Sequence, residues 1–252
     1  FDKTARGYDV PNDRRPIFDA AREVERAVHA VGRMLRGAQA PLAGEVRITS
    51  TDSLCQRVLP PIIADLRRDA PALRIDLVSS NARLDLDRAH ADITVRPADE
   101  LPDDLVGEPG GSMDFGLYRA RGACAATSAT MLGLSGPLAR WAVAQWSAAN
   151  VDPAGIRLSA DSFLALRELA AEGQGMAVLP DFVGAEDMRL ERVEGIVPKM
   201  SVPIWVASHS DLADVPRISA TRRALVRALT AATERMNPAR TAPGLSGQGT
   251  GA

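Results

Sequence analysis

Residues 44–97 read GEVRITSTDSLCQRVLPPIIADLRRDAPALRIDLVSSNARLDLDRAHADITVRP. Three runs rich in Val, Ile or Leu stand out, at 46–50, 74–78 and 92–95, each bounded by turn or cap residues, as short strands are. Between the first two, Leu54, Val58, Leu59, Ile62, Ile63 and Leu66 recur at the spacing of one helix face. Pro60 and Pro61 each remove a backbone donor, so a kink or a restart is expected there. A short helix is expected before the third strand. Strand, helix, strand, helix, strand is the order of a parallel sheet in an α/β fold.

Each of these strands ends in polar residues: Ser50, Thr51, Asp52 and Ser53; then Ser79, Ser80 and Asn81; then Arg96. In open α/β sheets small molecules bind at the carboxyl ends of strands. Thr51, Ser53 and Asn81 are therefore candidate ligand donors, and Arg96 a candidate partner for a carboxylate. The plainer alternatives are helix capping and turn chemistry for the first three, and a surface ion pair with Asp99 or Glu100 for Arg96.

The sequences GEVRI, LPPIIADLRRDAPALRIDL and ADITVRP, in this order and spacing, resemble the effector domain of LysR-type transcriptional regulators. A second resemblance lies in SADSFLALRELAAEGQGMAVLP, residues 159–180, where such domains carry a helix, a Gly-x-Gly turn and a strand ending in Leu-Pro. The resemblance covers nearly the whole chain and is weakest over 120–155.

The rest of the 252-residue chain fits around that frame. Residues 14–36 carry Phe18, Ala21, Val24, Val28, Val31 and Leu35 at three- and four-residue intervals, close to a heptad seam that needs a partner. The resemblance makes this the linker helix that pairs between subunits, which implies a homo-dimer or tetramer. Residues 1–13 suggest a turn with brief strands. By resemblance they are the wing left from a winged helix-turn-helix, with Arg6 approaching DNA. Lys3, Val10-Pro11 and Asp13 depart from that motif. The chain opens on Phe, so an N-terminal portion is expected to be missing, and the fragment is expected to bind ligand without reading DNA specifically.

Further strands are expected at 105–108 and 115–119, parted by a turn at Gly110-Gly111, and at 131–135, 157–159, 176–179 and 203–208. Helices are expected at 138–146, 162–172 and 218–236, the second capped by Asp161 or Ser162. The expected fold is two α/β subdomains like those of periplasmic binding proteins: 44–119 with 203–236, and 120–202. A hinge helix over 14–43 precedes them and a disordered tail over 237–252 follows. Across the cleft between subdomains, Ser135, Asp161 and Ser162 are the facing candidates, while Trp141 and Trp146 read as core.

Composition fits a globular protein: 46% hydrophobic, 25% charged, only 4% aromatic, net charge −2. Residues 1–40 hold eight basic and six acidic side chains, so the slight basic bias is N-terminal. His29, His90 and His209 are scattered, and no nucleophile elbow, P-loop or zinc spacing occurs. The reading is therefore not an enzyme, with no metal and no cofactor. Cys55, near the start of a helix, has two readings: a small buried cysteine, the commoner case, or a thiol whose pKa the helix N-terminus lowers and which forms a redox switch with Cys124. The functional expectation is a cytoplasmic, DNA-binding regulator that senses a polar or anionic effector. The alternative is a solute-binding protein of a transport system with the same two-lobed design.

Overall fold

The computed structural model describes residues 2–4, 7–9, 16, 17, 20, 24, 42–82, 91–123 and 130–238. Two compact units are formed, Phe1–Leu42 and Ala43–Ala252. In the first, β1 (Asp2–Thr4) and β2 (Gly7–Asp9) pair antiparallel, Thr4 opposite Gly7, so brief strands are present within 1–13 as expected. Arg6 lies outside the described residues. Pro16, Ile17, Ala20 and Val24 are helical; the rest of the expected linker helix, with most of its seam, is outside the described residues.

The second unit is built on β3 (Gly44–Ser50), β4 (Leu73–Ser79) and β5 (Ile93–Pro97). β3 pairs parallel with both others, as the strand–helix order requires. Val46 and Ile48 are fully buried, and so are Thr49 and Ser50, because a central parallel strand is covered on both faces. The expected break at the prolines is present. α1 (Asp52–Arg57) ends at Val58, and α2 (Leu59–Asp69) restarts with Pro60 and Pro61 in its first turn, where no backbone donor is needed. α2 buries Leu59, Ile62 and Leu66. The short helix expected before β5 falls largely on residues 83–90, outside those described.

The two strands expected at 105–108 and 115–119 are one strand, β6 (Leu105–Ala120). Gly110-Gly111 makes no turn. β11 (Ser201–His209) runs antiparallel along β6 from Asp114 to Leu105, and also pairs with β5, so the return strand falls where it was expected. The glycines serve a different need: α6 (Pro216–Met236) lies on them. A Cβ at Gly110 would sit 3.1 Å from that of Leu229, and one at Gly111 would meet the Thr233 hydroxyl at 2.1 Å. Asn237 fastens the end of α6 by donating to the Ser112 carbonyl at 2.8 Å and accepting from the Asp114 N–H at 2.8 Å.

Beyond Asp114, β6 changes partners. Its last residues lie between β9 (Ala177–Pro180) and β10 (Leu190–Val193), both antiparallel to it. β7 (Gly133–Leu134) and β8 (Ser159–Ala160) form a separate parallel pair. The helix expected over 138–146 is divided: a 3-10 turn at Gly136–Arg140, then α3 (Ala142–Asn150). The break is at Trp141, whose backbone is extended and whose ring packs edge-on to Phe115 at 6.0 Å and Phe163 at 5.6 Å. α4 (Phe163–Ala171) and the four-residue α5 (Asp181–Gly184) complete the unit, and Gly173 closes α4 with φ +71°.

Candidate functional site

The carboxyl ends of β3, β4 and β5 are fastened together before any ligand is considered. The Ser50 hydroxyl donates to the Val95 carbonyl at 2.6 Å, and the Ser80 N–H to the Ser50 carbonyl at 2.9 Å. Thr51 and Ser53 follow, both buried, with hydroxyl oxygens 3.4 Å apart. Thr51 stands at the N-cap position of α1 but its side chain makes no cap bond, so simple capping does not account for it.

The residue that joins the site is Asp52, which the sequence did not single out. Its carboxylate accepts from the Ser53 N–H at 2.6 Å and from the Ser162 hydroxyl at 2.5 Å. Ser162 is also the N-cap of α4, accepting from the Ala165 N–H at 3.2 Å, so of the two cap candidates the serine is the one used. Asn81 spans the same gap. Its side-chain oxygen accepts from the Asp52 N–H at 3.1 Å, and its amide donates to the Asp161 carbonyl at 3.0 Å. The contribution of Asp161 here is therefore its backbone; its exposed side chain lies beside Gly136. Ser135 is half-buried and next to Asp161, since β7 and β8 are in register at Leu134 and Ala160 and the Ser135 N–H donates to the Ala160 carbonyl at 2.9 Å.

Arg96 sits one loop away. It donates to the Ala82 carbonyl at 2.7 Å, the Ser80 carbonyl at 2.9 Å and, at 3.5 Å, the Thr49 hydroxyl. The surface pair with Asp99 or Glu100 is not formed; among the described residues Arg96 makes no ion pair. Burial pushes its pKa below the ordinary guanidinium value.

For Cys55 the structure favours the buried-cysteine reading over the redox one. Its thiol pKa is raised, not lowered. Burial dominates, and the nearby Asp52 carboxylate adds to it, against hydrogen bonds from Ser79 and Ser50 and the charge of Arg96. α1 is only six residues long, too short for its N-terminus to prevail. Cys124 lies outside the described residues.

Thus Thr51, Ser53, Asn81, Asp161 and Ser162 converge through Asp52, with Ser135 and Arg96 at the margins. Asp52 had no distinctive signal: an acid in the first turn of a helix reads as ordinary dipole chemistry. Only its partner, 110 residues away, sets it apart.

The family model described as the LysR substrate binding domain matches residues 39–230. The Mau operon transcriptional activator of Paracoccus denitrificans is 28% identical over 193 residues, covering 77% of this chain and 68% of that protein. Among solved structures, the CrgA regulatory domain from Neisseria meningitidis aligns with a TM-score of 0.61 at 21% identity, covering 74% of this chain and 99% of that one. A full-length OxyR variant from Pseudomonas aeruginosa aligns at 0.63 and 15% identity, covering 91% and 79%. The AmpR effector binding domain from Citrobacter freundii aligns at 0.61 and 17%, covering 73% and 98%.

Proposed function

This chain belongs to the LysR family of transcriptional regulators through its substrate-binding domain, and we propose that a polar or anionic small molecule binds where β3, β4 and β5 end against the start of α4. The fold is the mixed α/β, periplasmic-binding-protein-like fold of such effector domains, and the regulator reading stands over the transport one. Members of the family are transcriptional regulators rather than enzymes; they bind DNA and small-molecule effectors and act as oligomers.

The observation that carries the proposal is the convergence of Thr51, Ser53 and Asn81 with Asp161 and Ser162. Residues of two remote chain segments meet there through polar groups, with Arg96 and Ser135 beside them. A ligand bridging the segments favours one arrangement of subdomains 44–119 with 203–236 and 120–202 by its difference in affinity for the two. The linker helix over 14–43 then passes that difference to paired DNA-binding heads in a homo-dimer or tetramer, with Arg6 of the wing at the DNA. On this reading the protein works in the cytoplasm, where its DNA is. No helix among the described residues is long and apolar enough to cross a membrane.

The test is a thermal-shift screen of the purified chain against small carboxylates, aromatic acids and amino acids. A ligand at one hundred times its dissociation constant adds about 2.7 kcal/mol, a shift of roughly 5–10 °C for a domain of this size. The hit is expected to weaken in Thr51→Ala, Ser53→Ala or Ser162→Ala. A hit that binds all three variants as tightly as the wild type places the effector elsewhere.

A further inference from the structure

The site holds two opposite charges that do not pair with each other. Both residues that carry them bond to residues 80–82, just after β4. The Arg96 side chain donates to the Ser80 and Ala82 carbonyls, and the Asp52 backbone N–H donates to the Asn81 side chain. Successive Cα atoms are only about 3.8 Å apart, so the two anchors lie within the reach of one small molecule. Both charges also act on the Cys55 thiol, Arg96 lowering and Asp52 raising its pKa.

Neither charge has an ionic partner among the described residues. A guanidinium carries five N–H donors; the three hydrogen bonds of Arg96 all end on uncharged oxygens. Among the described residues, the Asp52 carboxylate accepts from an amide N–H and a hydroxyl. A carboxylate already occupies the Ser162 hydroxyl, so a purely anionic ligand arriving there meets a like charge. An ammonium group arriving there meets a matching one.

We propose that the site takes a zwitterion, an amino acid whose carboxylate pairs with Arg96 and whose ammonium pairs with Asp52. This deepens the effector-site reading above and rests on it. Asp52 is then a specificity-determining residue that rejects simple carboxylates. The effector is recognised by two charges of opposite sign, and on binding it takes over from Ser162 as the partner of Asp52. That exchange loosens one of the contacts between 44–97 and α4 as the ligand enters.

The experiment uses the full chain and matched probes: the common L-amino acids, each beside its deaminated acid and its decarboxylated amine, such as L-alanine, propionate and ethylammonium. At least one amino acid is expected to raise the melting temperature where neither single-charge counterpart does at equal concentration. Asp52→Asn is expected to weaken that amino acid by roughly thirty-fold or more and to admit the deaminated acid, since the like-charge repulsion is gone. Ser162→Ala, which leaves both charges in place, should keep the preference for the zwitterion and serves if Asp52→Asn fails to fold.

A deaminated acid that stabilises the wild type as well as its amino acid overturns the zwitterion and leaves the effector site standing. Amino-acid binding lost in Arg96→Gln but unchanged in Asp52→Asn removes the role of Asp52 and again spares the site. Binding indifferent to both substitutions counts against both readings, and no shift with any probe overturns the zwitterion alone.

Discussion

At the scale of single residues, environment decides more than residue type. Cys55 sits in the fourth position of a helix, where a helix N-terminus can favour a thiolate, yet burial pushes its pKa up. In a Cys124→Ser background, Cys55 should therefore alkylate with iodoacetamide more slowly than a free cysteine at neutral pH, and Arg96→Gln should slow it further by removing a charge that favours the thiolate. A rate at pH 7 matching free cysteine would contradict this. A cap at Asp161 or Ser162 was legible, because either residue type before an apolar helical run is a common N-cap. The bond of Ser162 to Asp52 was not legible, because nothing local distinguishes an acid that reaches across the fold from one that faces water.

At the scale of elements, two features make predictions. Gly111 has φ +123° and lies against Thr233 of α6. Gly111→Ala should destabilise the protein by about 2–4 kcal/mol in urea unfolding, from backbone strain and overpacking together. Adding Thr233→Ala should recover only part, since the strain remains. The second feature is the ion cluster holding α4 to the turn before β10: Arg189 pairs with Asp187 at 2.7 Å and Glu168 at 2.9 Å. Bonds from Arg189 hold the Asp187 carboxyl at about 2, down from 3.8. A carboxyl depressed on folding stabilises the protein above its unfolded value and loses that contribution as pH falls toward its folded one. Stability should thus decline between about pH 4 and pH 2, and Asp187→Asn should flatten this part of the pH profile of the urea midpoint. The Gly110-Gly111 pair also shows how elements are misread: two glycines look like a turn until a helix is seen to press on them.

At the scale of the whole molecule, β6 runs through the unit from β11 to β9 and β10, while Asp52–Ser162, Asn81–Asp161 and the 3.5 Å pair Arg57–Glu186 join segments far apart in sequence. Because these contacts join the remote segments, Asn81→Ala combined with Ser162→Ala should speed hydrogen exchange in the first turns of α1 and α4 and leave β3 protected. The expected loss of stability is about 1–3 kcal/mol. Unchanged exchange at both helix starts would show that β6 and the core alone fix the arrangement. By itself the sequence determined the parallel β3–β4–β5 unit, the proline restart, α4 with its glycine stop, and the return through β11 to α6. These rest on periodicity and on residues with few conformational options, which are local properties. Only the tertiary structure decided that 105–120 is one strand, that Trp141 breaks a helix to reach Phe115 and Phe163, and that Asp52 links the candidate site residues. Each of those depends on a partner brought close by folding, and no spacing along the chain encodes it.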